Sequence, residues 1–109
     1  MEIEMNEVGQ YLLIRVNSKL DLYNIGEFKK ILYDATSGKY THLAVELKEN
    51  NMEMDSSVIS ALISGQKKMN AGKNRFALLN VSQDIKNLFK LAGINDFFNF
   101  IDDEDQLFV

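Results

Sequence analysis

Between residues 11 and 101, short apolar runs alternate with stretches whose apolar residues recur at helical spacing, and this alternation narrows the fold more than any other feature of the chain. Tyr11-Leu12-Leu13-Ile14-Arg15-Val16, Leu43-Ala44-Val45-Glu46-Leu47 and Phe76-Ala77-Leu78-Leu79 read as strands. After the first, Ile25, Phe28, Ile31, Leu32 and Ala35 mark one helix face; Asn24 caps it, Glu27 follows three residues on, and Gly38 ends it. After the second, Val58, Ile59, Leu62, Ile63 and Met69 cover one side of a helix, with Ser60, Ser64, Lys67 and Lys68 largely on the other. Asn70-Ala71-Gly72-Lys73-Asn74 breaks that helix. After the third strand, Ser82 opens a helix with Ile85, Leu88, Phe89 and Ala92 inward and Gly93 closing it. Phe97-Phe98-Asn99-Phe100-Ile101 reads as a last strand.

Strand and helix in this order call for parallel pairing through right-handed crossovers. Ile3-Glu4-Met5 adds a strand ahead of Tyr11, with Asn6-Glu7-Val8-Gly9 as the turn of a hairpin, which makes the sheet mixed. The expectation is a single α/β domain over residues 1–109, with a mixed four- to five-stranded sheet and about four helices. The pattern leaves open whether the helices cover both faces of the sheet or one.

Composition removes whole classes of function. With 46% hydrophobic and 26% charged residues the chain is too apolar for disorder. It has no cysteine, so disulfides, thiolate catalysis and cysteine zinc sites are excluded. His42, the one histidine, opens a strand with no carboxylate beside it and reads as structural. No nucleophile, base and oxyanion arrangement can be assembled from these residues, so the chain is not expected to be an enzyme or to carry a cofactor or metal. Asp102-Asp103-Glu104-Asp105 lacks the ligand spacing of a calcium loop and reads as the acidic first turn of a short terminal helix.

Partners are narrowed in the same way. A net charge of −4, with Lys67, Lys68, Lys73 and Arg75 as a small basic cluster, argues against nucleic acid. Phe97, Phe98, Phe100 and Phe108 therefore read as packing residues and not as a platform for bases. The six glycines are scattered and form no phosphate-binding loop. No apolar run reaches membrane-spanning length and Met1-Glu2-Ile3-Glu4 is acidic where a signal peptide is basic, so the expected location is the cytoplasm, without a membrane partner.

The residues with most chemistry are Asp55-Ser56-Ser57, set between Met52-Glu53-Met54 and the helical pattern from Val58. Ser and Asp are favoured where first-turn N–H groups need acceptors, so one reading is a helix cap. The other is a hydroxyl that accepts a modification.

Four segments add a family resemblance to these readings. Ser18-Lys19-Leu20-Asp21 before a helix, Met54-Asp55-Ser56-Ser57 opening the next, Phe76-Ala77-Leu78-Leu79-Asn80-Val81-Ser82, and Leu88-Phe89-Lys90-Leu91-Ala92-Gly93-Ile94 resemble the STAS domain (sulfate transporter and anti-sigma factor antagonist). The similarity runs from about Tyr11 to about Ile101, and the small stand-alone members it resembles are bacterial anti-anti-sigma factors. The resemblance implies a STAS-like fold and a partner switch: an anti-sigma factor that is a serine kinase phosphorylates Ser56, with Ser57 as the alternative acceptor, and the unphosphorylated form binds that kinase and frees a sigma factor. It also implies a partner-binding surface of Asp21, Asp55, Ser56, Ser57 and Val58. The chain departs from the family pattern at Val58 and Ser18, where glycines are usual, and in a longer segment carrying Glu49 and Glu53. The alternative function is a non-phosphorylated STAS scaffold, or a subunit of a stress-sensing or lipid-transport complex. Pairing of the domain with a second copy stays open.

Overall fold

A computed structural model describes residues 3–17, 25–37, 42–47 and 56–108, with the backbone alone at 56, 57 and 108. In chain order the elements are β1 (Ile3–Val8), β2 (Tyr11–Val16), α1 (Ile25–Thr36), β3 (His42–Leu47), α2 (Ser56–Ala71), β4 (Phe76–Leu79), α3 (Gln83–Leu91), a 3-10 turn (Asn95–Phe97), β5 (Asn99–Ile101) and a closing 3-10 helix (Glu104–Phe108). The five strands form one sheet in sequence order: β1 is antiparallel to β2, and β2 to β5 run parallel. The mixed sheet and the helix order agree with the sequence reading.

Stepping from β2 to β5 in one direction by right-handed crossovers puts every connecting helix on the same face. The core shows that arrangement. Leu12, Ile14 and Val16, Leu43, Val45 and Leu47, and Phe76 and Leu78 point to one side, where they meet Phe28 and Leu32 of α1, Leu62 and Met69 of α2, and Ile85 and Phe89 of α3. The intervening residues Tyr11, Leu13, Ala44, Ala77, Leu79 and Ile101 face the other side, where Leu107 of the closing 3-10 helix completes a second, smaller core. Phe97, Phe98 and Phe100 pack, as the lack of a basic groove implied: Phe89 lies 5.2 Å from Phe98 and 5.9 Å from Phe100 between ring centres, and Phe97 lies 5.3 Å from Phe98.

Helix ends follow their sequence signals where these are described. Ser82 Oγ accepts the Ile85 N–H at 3.3 Å. At the other end of α3, Gly93 takes φ +73°, its N–H donates to Lys90 O, and the Ile94 N–H donates to Phe89 O, the pattern of a Schellman motif. The expected Asn24 cap and Gly38 stop lie outside the described residues.

Three local expectations change. The hairpin turn is Gly9-Gln10 and not Asn6 to Gly9: β1 continues to Val8, which the second core buries, and Gly9 at φ +60° turns the chain. Leu88 and Ala92 are exposed, because α3 buries only the Ile85 and Phe89 line. The last strand is confined to Asn99–Ile101, since β4 is only four residues long and Asn80, at φ +58°, carries the chain out of the sheet.

Candidate functional site

Two connections leave the same end of the sheet. β2 and β3 are adjacent and parallel, with Val16 opposite Leu47 at their C-terminal ends, and the chain passes from these residues to α1 and α2. Crevices at the C-terminal ends of parallel strands are where open α/β sheets place their sites, because the loops from neighbouring strands converge there. Asp21 belongs to the first connection and Asp55 to the second; both lie outside the described residues.

Ser56 and Ser57 are the first two residues of α2. The first-turn N–H groups of a helix lack intrahelical partners, and the macrodipole is positive at that end, so both favour an anion. Val58, the third residue, departs from the expected partner surface. It is 1% exposed and belongs to the main core, so its side chain packs inward in the isolated domain. Helical rotation explains the difference: Val58 shares its line with Ala61, Leu62 and Met69, all buried against the sheet.

Beneath this end of the sheet lies a polar cluster that the sequence reading did not anticipate. Glu46 is buried at 2% exposure on the second face. Arg15 Nη1 donates to Glu46 Oε1 at 3.1 Å and to Oε2 at 3.2 Å, and Asn80 Nδ2 donates to Oε2 at 2.8 Å. Arg15 Nη2 also pairs with Glu104 of the closing 3-10 helix. The Asn80 N–H donates to Ile101 O at 2.9 Å, so this residue ends β4, touches β5 and anchors Glu46 together. The cluster joins the C-terminal ends of four strands to the closing helix. Its signal in the sequence was a carboxylate in an otherwise apolar strand and an arginine in the same alternation of the preceding strand. Recognising the pair needed the register.

His42 is structural in its contacts: Nδ1 accepts the Arg75 N–H at 3.0 Å and the ring lies 5.1 Å from that of Tyr11. Among the described residues no helix is long and apolar enough to cross a membrane.

The profile of the STAS domain family matches residues 2–107 of the chain. The chain belongs to the STAS family. Among curated relatives, the anti-sigma-B factor antagonist of Staphylococcus aureus is 27% identical over 100 residues, covering 88% of each chain. Among solved structures, an anti-sigma factor antagonist (STAS) domain protein from Planctomyces limnophilus aligns with a TM-score of 0.81 at 19% identity, covering 96% of this chain and 94% of that one. The anti-sigma factor antagonist SpoIIAA in its unphosphorylated form gives 0.75 at 19% identity, covering 97% and 93%. SpoIIAA of Bacillus in the phosphorylated form gives 0.74 at the same identity, covering 97% and 96%. These likenesses show that this STAS domain has the STAS fold over nearly its whole length.

Proposed function

We propose that the chain is a cytoplasmic anti-sigma factor antagonist that docks on an anti-sigma serine kinase when unphosphorylated, frees a sigma factor by doing so, and is released when Ser56 is phosphorylated. It is the substrate of the kinase and not itself a catalyst. The observation that supports this reading is that Ser56 opens the described part of α2, the helix that follows β3, whose C-terminal end is paired with that of β2.

A phosphoryl group adds about −1.5 to −2 charges and three acceptor oxygens. At a helix N-terminus, unpartnered N–H groups and the dipole accommodate that charge, so the scaffold persists. The near-equal likeness of this fold to the unphosphorylated and phosphorylated forms of SpoIIAA supports such persistence. Docking is a different matter. A doubly charged group in a contact surface must be desolvated and is repelled by any acidic neighbour; about 4 kcal/mol of this kind weakens binding roughly a thousandfold. In this reading Asp21, Asp55, Ser56 and Ser57 form the partner surface, and Val58 supports the helix from below.

The test is intact-mass analysis after incubation with a cognate anti-sigma kinase and ATP. Wild type and Ser57→Ala gain one phosphate, Ser56→Ala gains none, and Ser56→Asp loses the kinase in pull-down. If wild type stays unmodified and Ser56→Asp binds its partner unchanged, the protein is a STAS scaffold that works without phosphorylation.

A further inference from the structure

The outer side of the α1–α2 pair carries a groove of about 430 Å³ whose lining includes none of the residues of the proposed partner surface. Leu32, Ala61 and Gly65 form its apolar floor. Ser60, Ser64 and Lys68, spaced by four on α2, line one wall; Lys29 and Tyr33, spaced by four on α1, line the other with Lys30. The groove exists because α2 presents the small residues Ser60, Ala61, Ser64 and Gly65 on this side. Gly65 also lets α2 settle on the sheet, since a Cβ there would lie 3.0 Å from Phe76 Cε2 and 3.4 Å from Leu32 Cδ2.

One end is held in place. Lys68 Nζ stands 3.7 Å from the centre of the Tyr33 ring and donates to Ser37 Oγ, which ties the two helices together. Tyr33 is nonetheless 65% exposed and offers a flat aromatic wall. The ammonium groups of Lys29 and Lys30 form no ion pair or hydrogen bond among the described residues. In a chain of net charge −4, three ammonium groups thus surround one apolar floor. The volume lies within the range of small-molecule pockets, which are mostly apolar with a few polar groups fixing orientation.

We propose that this groove binds a small amphiphilic anion, an apolar acyl or aromatic body carrying a single carboxylate or phosphate head. The body rests on Leu32, Ala61, Gly65 and the Tyr33 ring. The head lies among Lys29, Lys30 and Lys68, with the Ser60 and Ser64 hydroxyls as further donors. Charge complementarity selects the sign, because a cation is repelled by the three lysines and a neutral amphiphile gains the floor alone.

The test is a titration of the ¹⁵N-labelled full chain with octanoate, octyl phosphate and octanol, followed by NMR. The expected result is saturable shifts confined to amides of 29–33 and 60–68 for the anions, with octanol binding at least about tenfold more weakly. The stronger of the two anions identifies the head group. Lys29→Glu combined with Lys30→Glu weakens the anions by about tenfold, and Ser64→Leu, at an exposed position that needs no repacking, blocks the groove while the rest of the spectrum stays in place. Absence of saturable shifts, equal binding of octanol, an unaffected lysine variant, or shifts here from an acidic peptide but not from the amphiphiles would overturn the proposal. Ser56 phosphorylation takes no part in this readout, so its failure and that of the switch are told apart.

Discussion

Arg15 and Glu46 stand opposite each other on the adjacent parallel strands β2 and β3, and one guanidinium nitrogen donates to both carboxylate oxygens, at 3.1 and 3.2 Å. The carboxylate is buried, whereas the arginine side chain is 24% exposed and has Glu104 as a second partner. The pair therefore fixes the end of the sheet from which the connections to α1 and α2 depart.

Glu46→Ala removes the acceptor shared by Arg15 and Asn80. Breaking a fully buried ion pair costs about 3–5 kcal/mol, and the partial exposure of Arg15 with its contact to Glu104 brings the expected loss to about 2–3 kcal/mol. Urea unfolding measures it. The double replacement Arg15→Met with Glu46→Leu recovers most of the loss, because no charge is then left unpaired in the interior. A double variant as unstable as Glu46→Ala would show that the sheet end needs the polar cluster itself.

Lys73 takes the left-handed position that ends α2, at φ +60°, while Gly72 just before it is not in that region. The Lys73 N–H donates to Asn70 O and the Asn74 N–H to Met69 O, so the motif is complete although its usual residue is displaced by one. A non-glycine residue there costs about 1–2 kcal/mol, and the greater freedom of glycine in the unfolded chain returns part of this. Lys73→Gly is expected to stabilise by about 0.5–1 kcal/mol, read as a higher urea midpoint at unchanged slope.

What the sequence revealed and what it hid follow from the range of each interaction. Periodicity is local, so Ile25 to Ala35, Leu43 to Leu47 and Ser82 to Gly93 could be placed from their own residues. Which side of the sheet the helices take depends on strand order, which no single segment contains. The Arg15–Glu46–Asn80 cluster depends on register, and Val58 on helical phase: it was legible as apolar at helical spacing, yet its place beside Ser56 suggested surface. Position in sequence proved a poorer guide than rotation about the helix axis.

Leu88 and Phe89 test that lesson directly. The resemblance segment Leu88-Phe89-Lys90-Leu91 holds three large apolar residues, but Leu88 is 47% and Leu91 86% exposed, while Phe89 is fully buried against Phe98. Leu88→Gln and Leu91→Gln are expected to change stability by no more than about 0.5 kcal/mol. Phe89→Ala leaves a cavity in the aromatic cluster and should cost about 3–4 kcal/mol. Thermal unfolding of the three variants separates them clearly, and a large loss at Leu88 would mean that α3 is rotated about its axis.

Val58→Gly restores the residue that the family resemblance leads one to expect after Asp-Ser-Ser, and it separates core from contact surface. The substitution withdraws a side chain that is 1% exposed, worth about 1.5 kcal/mol of burial, adds a void against the sheet, and places glycine in a helix. Together these give an expected destabilisation of about 2–3 kcal/mol. A valine on the docking face would behave in the opposite way, with little effect on stability and a large one on phosphate transfer. Urea unfolding alongside the rate of Ser56 phosphorylation, measured well below the unfolding transition, distinguishes the two: a lower midpoint with a rate within about threefold of wild type is the expected outcome. A glycine that leaves stability intact while accelerating transfer many-fold would instead place Val58 in the kinase's path.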